Sequence, residues 1–142
     1  MTGFLLDTNV LSEFAREQPP DPHVDRWLKA TPESTLFASV LTLAEIRRGI
    51  ELLPAGSRRT QLEKWQDELR ISFEKNRLLP ITIDIGDRWA VLSAQAQRRG
   101  TRLAIVDGLI AATALEHDLT LVTRNAKDFA TVGIAIVNPW QA

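Results

Sequence analysis

Four acidic residues stand at the edges of apolar segments spread along this chain. Asp7 follows Phe4-Leu5-Leu6, Glu45 lies between Ala44 and Ile46, Asp107 follows Ile105-Val106, and Asp128 precedes Phe129. Carboxylates so placed sit at the boundary of a core, where desolvation and mutual repulsion make clustering costly. A divalent cation is the commonest way to offset that cost, and hard carboxylate oxygens suit Mg²⁺ or Mn²⁺. If the four meet in the fold, the chemistry is that of a metal-dependent enzyme acting on phosphate.

Each residue also has a plainer reading. Asp7 opens the turn-prone Asp7-Thr8-Asn9 and suits a helix N-cap. Asp107 opens a helix, where capping is the default, although a capping carboxylate keeps one oxygen free. Thr42-Leu43-Ala44-Glu45 matches a capping box, but Val40 and Leu41 already fit the same apolar helix. Glu45 is therefore expected on the mostly buried side, in a site role. Asp128 and Asn125 fall in a post-strand loop, where a solvated turn competes with a site. Thr123 and Asn125 are positioned to hydrogen-bond to water or to a carboxylate, and Asn9 completes the supporting set.

Composition narrows the alternatives. The 142 residues fit one domain, 1–142, with 44% hydrophobic and 25% charged residues, ordinary values for a globular protein. There is no cysteine, which excludes disulfides and thiolate metal sites. His23 and His117 are the two histidines, too few for a multi-histidine zinc centre. No apolar run approaches a membrane span, and the N-terminus enters an apolar strand without a signal-like segment, so the expected location is cytoplasmic and away from membranes. The net charge of -1 offers no overall attraction to nucleic acid, which leaves local basic patches.

The elements that must position the carboxylates alternate between strand and helix. Strands are expected at Phe4–Leu6, 35–38, 79–83, 119–123 and 134–137. Helices are expected at 10–16, 21–30, 40–53, 57–76, 87–99 and 107–116, with Pro22 in a first turn and Gly100 closing a C-terminus. This pattern argues for an α/β fold with a mostly parallel sheet, whose ligand sites lie beyond the carboxyl ends of the strands. Asp7 and Asn125 both fall just past a strand.

The order of these pieces resembles the PIN-domain family, in particular the VapC-type toxins of type II toxin–antitoxin pairs. The matching segments are Leu6-Asp7-Thr8-Asn9-Val10-Leu11-Ser12-Glu13, Ala44-Glu45-Ile46-Arg47-Arg48-Gly49, Asp107-Gly108-Leu109-Ile110-Ala111-Ala112-Thr113-Ala114, and Leu121-Val122-Thr123-Arg124-Asn125-Ala126-Lys127-Asp128-Phe129. Ser12-Glu13 and Arg47-Arg48-Gly49-Ile50 look most like the FitB branch. The resemblance covers essentially the whole chain. It implies a three-layer α/β/α sandwich around a parallel sheet of about five strands, and a Mg²⁺- or Mn²⁺-dependent ribonuclease leaving a 3′-hydroxyl and a 5′-phosphate.

Carried over by position, Asp7, Glu45 and Asp107 match the family's metal-holding acids, with Asp7 and Asp107 as direct ligands and Glu45 acting through a water. For the fourth position Asp128 and Asn125 both stand as candidates. Arg124, inside the last motif, is the candidate RNA contact. Further basic groups are Arg47, Arg48, Arg58, Arg59 and Lys64, and Arg98, Arg99 and Arg102. The resemblance also implies a cognate VapB- or FitA-like antitoxin in a groove between the early helices, where Trp27, Leu28, Leu52, Leu53, Leu62 and Trp65 are candidates, a homodimer, and operator DNA bound only through the antitoxin.

Two other readings compete. The aspartate-nucleophile phosphatases also place an Asp after the first strand, but they require a second Asp where this chain has Asn9. A non-catalytic PIN module, acting mainly in an antitoxin complex on DNA, would ordinarily lose part of the acidic set, which is complete here.

Overall fold

The computed structural model describes residues 3–73 and 76–142. Five strands, β1 (Phe4–Leu6), β2 (Leu36–Ser39), β3 (Leu78–Leu79), β4 (Thr120–Val122) and β5 (Ile136–Val137), form one sheet in the order β3-β2-β1-β4-β5. Every pairing is parallel, with Leu5 opposite Phe37 on one side and Leu121 on the other. Six helices surround it: α1 (Thr8–Ser12), α2 (Pro22–Ala30), α3 (Val40–Glu51), α4 (Ser57–Ser72), α5 (Ile83–Arg98) and α6 (Ile105–Glu116).

The three layers arise from the period of two along each strand. Leu5 and Leu121 point to one face, where they pack with Ile85 and Leu92 of α5 and Ile110 and Ala114 of α6. Their neighbours Leu6 and Val122 point to the other, against Val10, Val24, Ile46 and Ile50 of α1 to α3, with Leu62, Trp65 and Leu69 of α4 at the edge. The central strand β1, covered on both faces, is accordingly apolar throughout.

Several boundaries depart from the sequence expectations. The strand expected at 79–83 is only Leu78–Leu79, because Pro80 lacks an N–H for the ladder and the Thr82 hydroxyl accepts from Ile85 N, starting α5 at Ile83. The first helix begins at Thr8 rather than Val10 and ends in a 3₁₀ turn over Glu13–Ala15. Glu13 stabilises the passage into α2: its buried carboxylate accepts from Asp21 N and from Arg16 Nη1, both at 2.7 Å. The fourth helix ends at Ser72; Glu74 and Lys75, within its expected span, lie outside the described residues. The other helix and strand ends shift by up to about three residues, the ordinary scatter of boundaries.

The chain winds outward from β1 through β2 to β3, then returns across the sheet to β4 and β5. The reversal leaves the carboxyl ends of β1 and β4 side by side, the crevice where open α/β sheets place their ligands.

Candidate active site

Asp7 leaves the end of β1 and caps α1, its Oδ1 accepting from Thr8 N at 2.9 Å. Capping and a site role thus coexist, because Oδ2 is directed elsewhere. It accepts from the fully buried Thr123 hydroxyl at 2.8 Å and from Asn9 Nδ2 at 3.3 Å. Thr123 Oγ1 in turn accepts from Asn9 Nδ2 at 3.3 Å and Asn125 N at 3.0 Å, so its donor and both acceptor positions are used. Asn9 Oδ1 accepts from Arg124 N at 3.1 Å. The loop after β4 is thereby tied to the loop after β1.

Glu45 is on α3, which starts at Val40 with Ser39 as its cap. That start removes the capping-box reading. The side chain is also exposed, not on the buried face as the sequence suggested. Its Oε1 accepts from Thr8 Oγ1 at 2.6 Å. Thr8 is a site residue that sequence reasoning missed; its only signal was a hydroxyl between Asp7 and Asn9.

Asp107 is in the first turn of α6, whose N-cap is Ala104. The expectation that Asp107 caps this helix fails because α6 begins at Ile105. Asp128 is exposed on a 3₁₀ turn, Ala126–Phe129, anchored by the buried Phe129.

Electrostatics link the four. Burial pushes the Asp107 carboxyl up to about 6, and the charges of Asp7, Asp128 and Glu45 push in the same direction. Burial also raises Asp7, aided by Glu45, against the hydrogen bonds from Thr123, Thr8 N–H and Asn9. Asp107 therefore lies within electrostatic reach of the other three acids, and Asp7 within reach of Glu45. Among the described residues, no three acidic or histidine side chains make a ready cage for a cation. The donor set itself fits a hard divalent ion: all oxygen, several negative charges, and repulsion that a cation would relieve.

Half of the eight residues in the expected basic groups are occupied. Arg47 and Arg59 both pair with Glu51, Arg58 donates to Ala15 O, and Arg99 donates to Thr131 O. Of the residues expected to line a groove, Leu62 and Trp65 do so, with Thr8, Ser12, Glu45, Ile46 and Ile50, in a trough of about 200 Å³. Trp27 instead packs edge-on against Phe4, and Leu52 is 70% exposed.

The profile of the PIN domain matches residues 4–135. The chain is 38% identical to the VapC ribonuclease Y4jK of Sinorhizobium fredii over 137 residues, 96% of this chain and 97% of the relative. It is 35% identical to the toxin FitB of Neisseria gonorrhoeae over 136 residues, 96% of this chain and 97% of that one. A solved structure of FitAB bound to an IR36 DNA fragment superimposes with a TM-score of 0.89 at 34% identity, covering 96% of this chain and 95% of that one.

Proposed function

This chain belongs to the PIN-domain family, and from that membership we propose that it is the toxin of a toxin–antitoxin pair, a Mg²⁺- or Mn²⁺-dependent ribonuclease. The observation that carries the catalytic reading is the Asp107 carboxyl, raised first by burial and then by the charges of Asp7, Asp128 and Glu45. Charges so arranged destabilise the site until something positive enters it.

Asp7 and Asp107 would hold the cation directly, with Glu45 acting through a water and Asp128 outside them. When bound, the ion supplies Lewis-acid polarisation of the phosphodiester and makes water more acidic. The protein supplies position. Thr123 and Asn9 fix Asp7 Oδ2, and Thr8 fixes Glu45. Held donors and acceptors of this kind need no reorganisation as charge develops in the reaction.

The trough between α1, α3 and α4 opens beside Glu45, Thr8 and Ser12 and is lined otherwise by Ala15, Ile46, Gly49, Ile50, Leu62 and Trp65. It supports an antitoxin that covers the site. A homodimer would draw on exposed Val91, which lines a second trough with Asp87, Arg88, Leu92 and Leu115, and on exposed Ile83 and Ile105. Operator binding would then come through the antitoxin; the FitAB complex, whose toxin fold this chain shares, is bound to an IR36 DNA fragment.

The test is cleavage of a mixed RNA pool by the purified chain and by Asp7→Asn, with Mg²⁺ or Mn²⁺. Asparagine preserves the cap and removes the charge. Cleavage by the wild type alone, abolished by chelator, is expected. A folded wild type that neither cleaves RNA nor binds metal would favour a non-catalytic PIN module working in an antitoxin complex on DNA.

A further inference from the structure

Beside Asp7, Glu45 and Asp107 lies a pocket that shares only Asp128 with the acidic set. Its volume, about 510 Å³, falls within the range of small-ligand sites, roughly 300–1,000 Å³. Arg124, Asn125, Lys127, Asp128, Asn138 and Gln141 line it, with Ala126 as the one apolar member. Such a lining offers two cations and three side-chain amides to a charged ligand.

We propose that this pocket holds one nucleotide of single-stranded RNA next to the bond being cut, with a flanking phosphate on Arg124 and Lys127 and the base edge against the amides of Asn125 and Gln141. The inference rests on the ribonuclease reading and deepens it by locating where the strand is gripped.

Three observations support it. First, the two cations are available and face the same pocket: among the described residues neither side chain forms an ion pair or donates a hydrogen bond, and both line the cavity beside Asp128. Second, Arg124 is held in place without consuming its donors. Its guanidinium lies 5.2 Å from the Trp140 ring centroid, and the Trp140 backbone N–H donates to Asn138 Oδ1 at 3.0 Å, which holds the turn that carries the ring. A guanidinium on an aromatic face keeps its N–H groups for phosphate and presents a plane on which a base can stack. Third, the pocket is joined to the carboxylates by the backbone of one loop, through Arg124 N to Asn9 and Asn125 N to Thr123. Asp128 belongs to both, lining the pocket and acting on Asp107.

Donor chemistry divides the labour. Arginine and lysine neutralise phosphate without reading sequence, while side-chain amides match base edges. The free amides of Asn125 and Gln141 are thus the residues that would set base preference.

The experiment measures binding of a short, labelled, mixed-sequence single-stranded RNA to the folded chain carrying Asp7→Asn, across a salt series. Adding Lys127→Ala, an exposed change, or Arg124→Ala is expected to weaken binding by roughly tenfold and to lower the salt slope by about one each. Adding Gln141→Ala should leave the salt slope intact while flattening preference among the four homopolymers. Unchanged RNA affinity and slope in Lys127→Ala and in the combined Arg124→Ala/Lys127→Ala variant, both on Asp7→Asn, would overturn the proposal. So would retained RNA affinity with lost affinity for the antitoxin, which would assign the pocket to the protein partner. Because the readout needs no turnover, it is separable from the nuclease test. With Asp7 restored, a chain that binds RNA through this pocket without cleaving any would sink the catalytic reading alone, and cleavage with unchanged KM in Arg124→Ala/Lys127→Ala would sink the pocket alone.

Discussion

Thr123 donates its hydroxyl to Asp7 Oδ2 at 2.8 Å, joining residues 116 positions apart at the ends of neighbouring strands. The bond is buried, and the same hydroxyl accepts from Asn9 and from Asn125 N. One oxygen atom thus holds three parts of the site in register.

Replacing Thr123 by Val keeps shape and deletes that oxygen. Leaving buried partners unsatisfied costs about 1–3 kcal/mol, so chemical denaturation should show a loss of that order. The Asp7 carboxyl should rise further, since Thr123 is the strongest of the groups lowering it. Thr123→Ser should recover stability and RNA cleavage; an equally defective Ser variant would mean that methyl packing, not the hydroxyl, is what matters.

The metal-free protein should lose stability as pH rises through the site's titration. Asp7 and Asp107 have folded values above the usual 3.8, about 6 for Asp107. The native state therefore binds more protons than the unfolded state between about pH 4 and 6, and unfolding free energy falls across that window. The contribution is on the order of 1 kcal/mol after solvent screening. Melting temperatures from pH 4 to 8 should show it, Asp107→Asn should flatten it, and millimolar Mg²⁺ should raise the melting temperature most above pH 6. Identical profiles for wild type and Asp107→Asn would contradict the coupling.

Glu45→Gln separates charge from geometry, because its amide oxygen can still accept from Thr8 Oγ1. Melting temperature should hold or rise slightly as one repelling charge disappears. Cleavage should fall by at least roughly tenfold, in the range of losses for electrostatic groups in active sites. Full activity in this variant would remove Glu45 from the site.

Gly108 is where α6 meets α5: a Cβ there would lie 2.8 Å from Trp89 Cδ1 and 3.0 Å from Nε1. Gly108→Ala should destabilise by about 1–3 kcal/mol through overpacking, despite alanine's better helix propensity. Because Asp107 is the adjacent residue, cleavage should fall as well. Thermal melting of Gly108→Ala beside Gly49→Ala, where a Cβ meets nothing within 4 Å, gives the comparison.

Local rules read the chain well where a residue answers to its immediate neighbours. Asp21 caps α2 with Pro22 in its first turn, and Gly100 takes the positive φ of +72° after α5. They read it less well where two signals overlap. Leu79 to Ile83 alternates like a strand, yet Pro80 and the Thr82 cap end β3 at once. Glu45 illustrates a different failure. Its apolar neighbours in sequence implied burial, but a helix turns by about 100° per residue, and Ile46 and Ile50 face the core while Glu45 faces solvent.

By itself the sequence determined which side chains carry charge at strand ends, the alternation of strand and helix, and the acidic segments whose order marks the family. These depend on spacing over a few residues, the range across which hydrophobic period and capping act. Only the tertiary structure decided that β1 lies between β2 and β4, and with it that Thr123 meets Asp7 and that Asp107 feels three other carboxylates. It also decided that Arg47 and Arg59 are engaged by Glu51 while Arg124 stands over Trp140 beside an open pocket. Coulomb energy and hydrogen bonding depend on distance in space, and residues more than a hundred positions apart acquire a distance only when the sheet has assembled.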